Sequence, residues 1–239
     1  MAEGLNVLCL LDVLGFESLF NTIGLDALAR RYEKLTEYMR EQTGGLDVAR
    51  TSDGHVAVGW MAIGNAYFSD TLLFWARYNT IFLPTFTRLI AETICYGLEN
   101  EMPLRGTLSV GEMILDAESG TYPGEPIIEA ARTKRLQRWI GVSLGASFSR
   151  PGFNQGFYLD TVLPYKSHYK DLVSSLVTGI VVDWPRKWRE TRKTDVRSLI
   201  SGMNTDPQFS DYYTNTLHFV DFSEQNHDRF KRQDHLDYG

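Results

Sequence analysis

The sequence predicts an α+β protein of the ferredoxin-like kind, in which helices cover one face of an antiparallel-rich sheet. Strand and helix patterns follow one another in the order βαββαβ, and one further helix–strand pair comes after them. The 239 residues are 43% hydrophobic and 23% charged, which is the composition of a globular protein. We expect a single domain over residues 1–239, with a core at about 6–148 and a C-terminal extension at about 149–239.

The first half of the chain supplies three strands and a helix. Residues 6–14 form an almost uninterrupted apolar run, which is typical of a strand buried on both faces. Apolar residues at helical spacing predict a helix over 17–42, which the glycine pair at 44–45 ends. The Val, Tyr and Phe content of residues 55–75 predicts extended strands, with a tight turn at Ser69–Asp70.

The later elements follow from the same patterns. Apolar content and flanking glycines predict a helix over 81–97, a strand over 104–115, a Gly/Pro-rich loop over 116–126, a helix over 127–140 and a strand over 141–148. In the extension we expect a strand at 178–183, a basic helix at 186–203, a helical segment near 212–222 and a polar, frayed tail from 224.

Charge and cysteine content exclude several classes of function. The 24 basic and 30 acidic residues give a net charge of −6, whereas a binder of nucleic-acid phosphates needs a basic field, so we expect no nucleic-acid partner. Cys9 and Cys95 stand among apolar residues, as buried thiols in a reducing compartment do. The chain shows no signal peptide and no apolar stretch of about 18 residues, which predicts a cytoplasmic protein without membrane contact.

Two aspartates indicate a metal site. Asp12 is the ionisable residue of the first strand, and burying a lone carboxylate is costly unless a cation or water faces it. Asp70 lies at the turn between two strands that we expect to flank the first, which brings both carboxylates to one sheet edge. Such a pair can hold two Mg²⁺ or Mn²⁺ ions about 3.5–4 Å apart for in-line phosphoryl displacement. The alternative is that Asp70 forms a turn and Asp12 caps a helix.

The segment after Asp12 has the features of a phosphate site. Gly15 lets the backbone turn tightly, so that the amides of the first helical turn point outward toward an anion. We expect a triphosphate to bind along Leu14, Gly15 and Phe16, between metal ions on one side and amides on the other.

Four motifs carry a family resemblance. They are Asp12-Val13-Leu14-Gly15-Phe16, Ser69-Asp70, Leu104-Arg105-Gly106 through Gly111-Glu112, and Gly124 through Ala130-Ala131-Arg132. In this order they resemble the class III nucleotidyl cyclases, and most closely the compact bacterial pyrimidine cyclases of Pycsar antiphage defence. The resemblance covers roughly residues 6–148 and implies the class III cyclase core.

The resemblance implies a nucleoside triphosphate substrate and two divalent ions, held by Asp12, Asp70 and the Val13 carbonyl. It places the transition-state arginine at Arg132 and has it enter from the partner chain of a homodimer, so that sites are shared between chains. The alternative for Arg132 is a solvated helix residue in a basic run. The cyclic product would be a second messenger for antiphage defence, sensed by a separate effector protein.

The sequence differs from the purine cyclases at the positions that recognise the nucleotide base. No lysine stands on the strand at 57–68, and Thr121 replaces the aspartate that reads adenine, so we predict a pyrimidine, with UTP favoured over CTP. Asn65, Tyr67 and Thr121 are the candidate base readers. Ile128 stands where those enzymes have an asparagine, and Ser69 replaces the usual glycine. The alternatives are an inactive nucleotide-binding module, a purine cyclase or a polymerase-like palm.

Overall fold

The computed structural model describes residues 2–42, 45–50, 56–80, 82–115, 121–149, 161–165, 177–203 and 206–233. Its strands are β1 (Ala2–Val13), β2 (Gly45–Arg50), β3 (Val56–Met61), β4 (Ile63–Phe68), β5 (Thr71–Arg77), β6 (Leu104–Leu115), β7 (Gly141–Gly145), β8 (Val162–Pro164) and β9 (Val177–Val182). Its helices are α1 (Phe16–Ile23), α2 (Leu25–Glu41), α3 (Leu83–Glu99), α4 (Glu125–Leu136), α5 (Trp184–Thr191), α6 (Val196–Met203) and α7 (Ser210–Gln233). The predictions for residues 44, 55, 81, 116–120 and 234–239 lie outside the described residues.

Among the described residues, seven strands form one mixed sheet in the order β4-β5-β1-β6-β7-β9-β8, and β2 pairs with β3 outside that sheet. Within the sheet β6 and β7 are parallel, and the other neighbouring pairs are antiparallel. The α+β class is therefore confirmed, and the order β4-β5-β1-β6 is that of a ferredoxin-like βαββαβ unit. Of the two hairpin strands expected to flank β1, β5 does so, whereas β4 is the sheet edge and β6 takes the other side.

The side chains of β1 alternate between two cores, because successive residues of a strand point to opposite faces. Cys9 and Leu11 pack with residues of α2 and α3 in the larger core. Leu10 packs on the other face, with Ala130 of α4. The prediction that the helices cover one face is therefore wrong, since α4 lies opposite α2 and α3. Asp12, two residues after Leu10, belongs to the α4 face.

Helix boundaries follow local sequence signals that the periodicity did not resolve. The helix predicted over 17–42 is two helices, because Gly24 between α1 and α2 adopts a left-handed φ of 78°. The basic helix predicted over 186–203 is also two. Its chain becomes extended at Arg192, and Asp195 begins α6 by accepting hydrogen bonds from the amides that follow it.

The C-terminal extension adds to the same sheet, since β9 pairs with β7 and β8 with β9. The Trp184 indole donates to the Ile140 carbonyl at 3.1 Å, and Thr216 of α7 accepts from the Ile140 amide at 2.9 Å. The tail expected to fray from Glu224 instead continues α7 to Gln233. No helix among the described residues is long and apolar enough to cross a membrane.

Candidate functional site

The two predicted metal ligands meet at one end of the sheet. Asp12 is the last but one residue of β1 and is 7% exposed. The register of β1 places Thr71 opposite it on β5 and Arg105 opposite it on β6. Asp70 precedes Thr71, and its carboxyl group is close enough to that of Asp12 to raise the pKa of Asp12. The two carboxyl groups that the sequence analysis expects at one sheet edge therefore lie close enough to affect each other's ionisation.

The turn of the hairpin between β4 and β5 determines the position of Asp70. Phe68 pairs with Thr71, which leaves Ser69 and Asp70 as a two-residue turn. Ser69 has a left-handed φ of 53°, a conformation that glycine adopts more easily than serine. The Val13 amide donates to the Asp70 carbonyl at 3.0 Å, which ties the turn to the end of β1.

Two cations of the same chain face Asp12, one on each carboxylate oxygen. Nε and Nη2 of Arg105 both lie 3.3 Å from Oδ2, and Nζ of Lys134 lies 3.2 Å from Oδ1. Nη1 of Arg105 also donates to the Gln137 carbonyl at 3.3 Å and to the Tyr212 hydroxyl at 3.1 Å. Arg105 is therefore anchored between β6, α4 and α7.

Burial dominates the electrostatics of Asp12 and raises its pKa above the ordinary value. The positive charges of Lys134 and Arg105 lower that pKa, whereas the hydrogen bond and negative charge of Asp70 raise it. The balance leaves the pKa raised, so keeping Asp12 ionised costs free energy. An additional cation between the two carboxyl groups would relieve this cost.

The turn after β1 has the form that the sequence predicts. Gly15 adopts a left-handed φ of 69° and begins α1, and no side chain of the described residues caps that helix. The alternative that Asp12 is a helix cap is therefore wrong. Leu14 is buried, and the Phe16 ring packs edge-on against Tyr32 with centroids 6.3 Å apart.

A segment of the C-terminal extension lies over this turn. Ser18 of α1 donates its hydroxyl to Oδ2 of Asp206 at 2.7 Å. A β-carbon on Gly15 would meet the Phe209 ring at 3.0 Å. The extension thus contacts both the α1 turn and, through Tyr212, the Arg105 side of the site.

Two of the candidate base readers, Asn65 and Tyr67, lie on β4 beside α2. Nδ2 of Asn65 donates to the Met39 carbonyl at 3.0 Å. The Tyr67 hydroxyl accepts from Arg40, whose guanidinium also lies over the Tyr67 ring at 5.4 Å. Both side chains therefore have partners in α2 that fix their orientation.

Tyr32 connects these residues to the acids. Its ring lies 6.2 Å from that of Tyr67, and its hydroxyl is buried without a hydrogen-bond partner among the described residues. Burial, followed by the negative charge of Asp70, raises the pKa of Tyr32 to about 12. The hydroxyl is therefore a neutral donor close to Asp70 that the sequence analysis missed.

Thr121 and Arg132 are both exposed. Among the described residues Arg132 has no hydrogen bond or ion pair with Asp12 or Asp70, so it does not join the acids within one chain. Next to Thr121, Tyr122 packs on Trp75 on the α4 side of the sheet, with ring centroids 4.9 Å apart. From α4 it is Lys134, not Arg132, that reaches Asp12.

The donor set suits a hard cation that keeps part of its hydration. No group of three or more His, Cys, Asp or Glu side chains within the described ranges is placed to hold a metal ion. Two carboxylates and a backbone carbonyl are nevertheless what Mg²⁺ commonly takes from a protein, with water and substrate phosphates completing the shell. The close approach of the two carboxyl groups fits that role.

No family model matches the chain, and no curated protein matches it.

Proposed function

We propose that the protein is a metal-dependent nucleotidyl cyclase that converts a pyrimidine nucleoside triphosphate into its 3′,5′-cyclic nucleotide and pyrophosphate. The observation that carries this proposal is the approach of the Asp12 and Asp70 carboxyl groups beside the Gly15 turn. The resemblance of the motifs to class III cyclases supplies the reaction class. The site is formed by the end of β1, the two-residue turn between β4 and β5, and the tight turn at Gly15 that leads into α1.

The residues have separate roles in this reaction. Asp12, Asp70 and the Val13 carbonyl would hold two Mg²⁺ or Mn²⁺ ions, which when bound acidify the ribose 3′-hydroxyl and neutralise phosphate charge. The 3′-oxygen forms a bond to the α-phosphorus as the bond to the bridging oxygen of the β-phosphate breaks, and the hydroxyl proton passes to water. The first amides of α1 would bind phosphate oxygens.

The orientation of the β4 side chains supports uracil over cytosine. Because the Met39 carbonyl only accepts, the amide nitrogen of Asn65 must face it, which leaves Oδ1 as an acceptor. Uracil offers a donor at N3, whereas cytosine has an acceptor there. Arg40, which only donates, stands beside Tyr67 and would favour the O4 acceptor of uracil. UTP is thus the substrate we propose first.

The direct test is a side-by-side assay of the four NTPs at equal concentration with Mn²⁺, in which cyclic products are identified by mass. We expect cyclic UMP to dominate, and Asn65→Leu to narrow the preference for UTP over CTP. A higher rate with ATP or GTP would overturn the pyrimidine assignment. The absence of any cyclic product from all four NTPs would overturn the cyclase.

Sharing of sites between chains accounts for the exposure of Arg132. In a two-fold dimer each site would take its acids from one chain and Arg132 from the other. Mixing an Asp12→Ala protein with an Arg132→Ala protein should restore about a quarter of the sites if subunits exchange randomly. Failure of rescue despite proven exchange would place Arg132 outside the shared site.

A second candidate is a nucleotide-binding module that does not turn over. Ile128 is 54% exposed on α4 at the position where purine cyclases have an asparagine, and this observation favours it. Such a module predicts that an NTP raises the melting temperature but is never consumed. In either case the downstream partner we propose is a separate effector that binds the cyclic nucleotide.

A further inference from the structure

We propose that Lys134 is a positioning residue that holds the Asp12 carboxylate until a divalent cation displaces it, and that it then pairs with the triphosphate. This inference rests on the proposed metal site. The observation that carries it is the difference between the two cations that face Asp12.

Arg105 is fixed in place. In addition to its two contacts with Oδ2 of Asp12, it donates to the Gln137 carbonyl and the Tyr212 hydroxyl. Its guanidinium also lies 5.3 Å from the centre of the Tyr212 ring. Moving Arg105 would break all of these contacts, so we expect it to stay when the site changes.

Lys134 has far fewer restraints. Within the described part of the chain, its side chain forms one ion pair, the 3.2 Å contact with Oδ1 of Asp12, and no other hydrogen bond. The side chain is 16% exposed, so part of it is accessible to solvent. An ammonium on a flexible four-carbon stem has three donors and can rotate to new acceptors.

A divalent ion and this ammonium compete for the same oxygen. Mg²⁺ binds a carboxylate oxygen at about 2.0–2.1 Å, and its charge would repel the Lys134 ammonium on Oδ1. The displaced ammonium would remain beside the proposed triphosphate position, where phosphate oxygens are acceptors that lysine commonly binds. Lys134 would thus weaken metal binding in the free protein and strengthen phosphate binding once metal is present.

The test measures binding of Mn²⁺ alone by electron paramagnetic resonance, and then binding of inorganic triphosphate at saturating Mn²⁺. Lys134→Gln should bind Mn²⁺ about tenfold more tightly and triphosphate about tenfold more weakly than the wild type. Arg135→Gln is the matched control, since it removes one exposed charge from the same helix. A purely structural role for Lys134 would not shift the two affinities in opposite directions.

A second measurement uses the wild-type protein, so that it does not depend on the folding of a variant. Mn²⁺ should raise the rate of acetylation of Lys134 several-fold, measured by mass spectrometry, and leave exposed Lys193 unchanged. Binding of Mn²⁺ that survives Asp12→Asn would count against the proposed function. Asp12-dependent binding that leaves Lys134 acetylation and the Lys134→Gln affinity unchanged would overturn this inference alone.

Discussion

Asp12 and Asp183 are both buried aspartates near strand ends, and their surroundings differ. Asp12 is the last but one residue of β1 and Asp183 follows β9, and they are 7% and 5% exposed. Burial raises the pKa of both. Oδ1 of Asp183 accepts from the Ser223 hydroxyl at 2.5 Å and from the Arg186 amide at 3.3 Å, which makes it the cap of α5.

Asp12 caps no helix, and its carboxylate has charged side chains as partners and a second acid beside it. This difference distinguishes an acid that caps a helix from the acid that we propose to be functional. An acid that accepts from backbone amides stabilises the fold, whereas two carboxyl groups held close together would be stabilised by a cation between them.

Enzymatic activity should respond much more to replacement of Asp12 than to replacement of Asp183. Asp12→Asn and Asp70→Asn should each lower the rate of the proposed cyclisation by about a thousandfold or more, since each would remove a ligand of the proposed metal ions that stabilise charge in the transition state. Asp183→Asn should retain near wild-type activity per folded molecule. The comparison fails if Asp183→Asn loses as much activity as Asp12→Asn at saturating Mn²⁺.

The gain in stability on adding metal should depend on Asp12 and Asp70 but not on Asp183. Mn²⁺ at about a hundred times its dissociation constant should raise the free energy of unfolding of the wild type by about 2.7 kcal/mol. Asp12→Asn and Asp70→Asn should lose this gain, and Asp183→Asn should keep it. Urea denaturation with and without Mn²⁺ measures the difference, and a gain retained by Asp70→Asn would remove Asp70 from the site.

In the absence of metal, replacing Asp183 should lower the free energy of unfolding more than replacing Asp12. Asp183→Ala should cost about 2 kcal/mol of folding free energy, because it removes a helix cap and leaves the buried Ser223 hydroxyl without its acceptor. Asp12→Asn should cost less, since it also removes a poorly solvated charge. Urea denaturation in EDTA checks this, and a larger loss for Asp12→Asn would contradict it.

The raised pKa values give a pH dependence with a definite sign. A folded pKa above the ordinary value of 3.8 means that the folded protein binds the proton more tightly, so the stability it contributes is lost as pH rises through the raised pKa. Asp12→Asn and Asp183→Asn lack the titrating carboxyl group and therefore lack this loss. In EDTA, as the pH rises from about 4 to neutrality, the free energy of unfolding of each variant should therefore rise relative to that of the wild type. A difference that shrinks as pH rises would contradict the raised pKa.

The smallest effect concerns the turn that carries Asp70. Ser69→Gly should stabilise the protein by about 0.5 kcal/mol, because relief of the left-handed conformation outweighs the greater entropy of glycine in the unfolded chain. Thermal denaturation checks the sign, and a matched Ser18→Gly variant, placed inside α1, should destabilise instead.

Sequence periodicity predicted the elements that carry the acids, because a buried strand and a tight hairpin turn leave local signals. It did not predict the partners of Asp12. Arg105 reaches it through strand register, which local sequence does not determine. Lys134 lies on the helix face of Ile127 and Ala130, at intervals of seven and four residues, so helical spacing could have separated it from exposed Arg132. Asp206 and Phe209 lie far from α1 in the sequence, and no local pattern predicts their contacts with Ser18 and Gly15.

The most direct test of the two-carboxylate site is a crystal structure of the protein with Mn²⁺ and 3′-deoxy-UTP, which lacks the attacking hydroxyl. Anomalous scattering locates manganese independently of the rest of the density. We expect manganese bound by both Asp12 and Asp70, the triphosphate along the Gly15 turn and Lys134 withdrawn from Oδ1. A bound nucleotide with no manganese on either aspartate would contradict it.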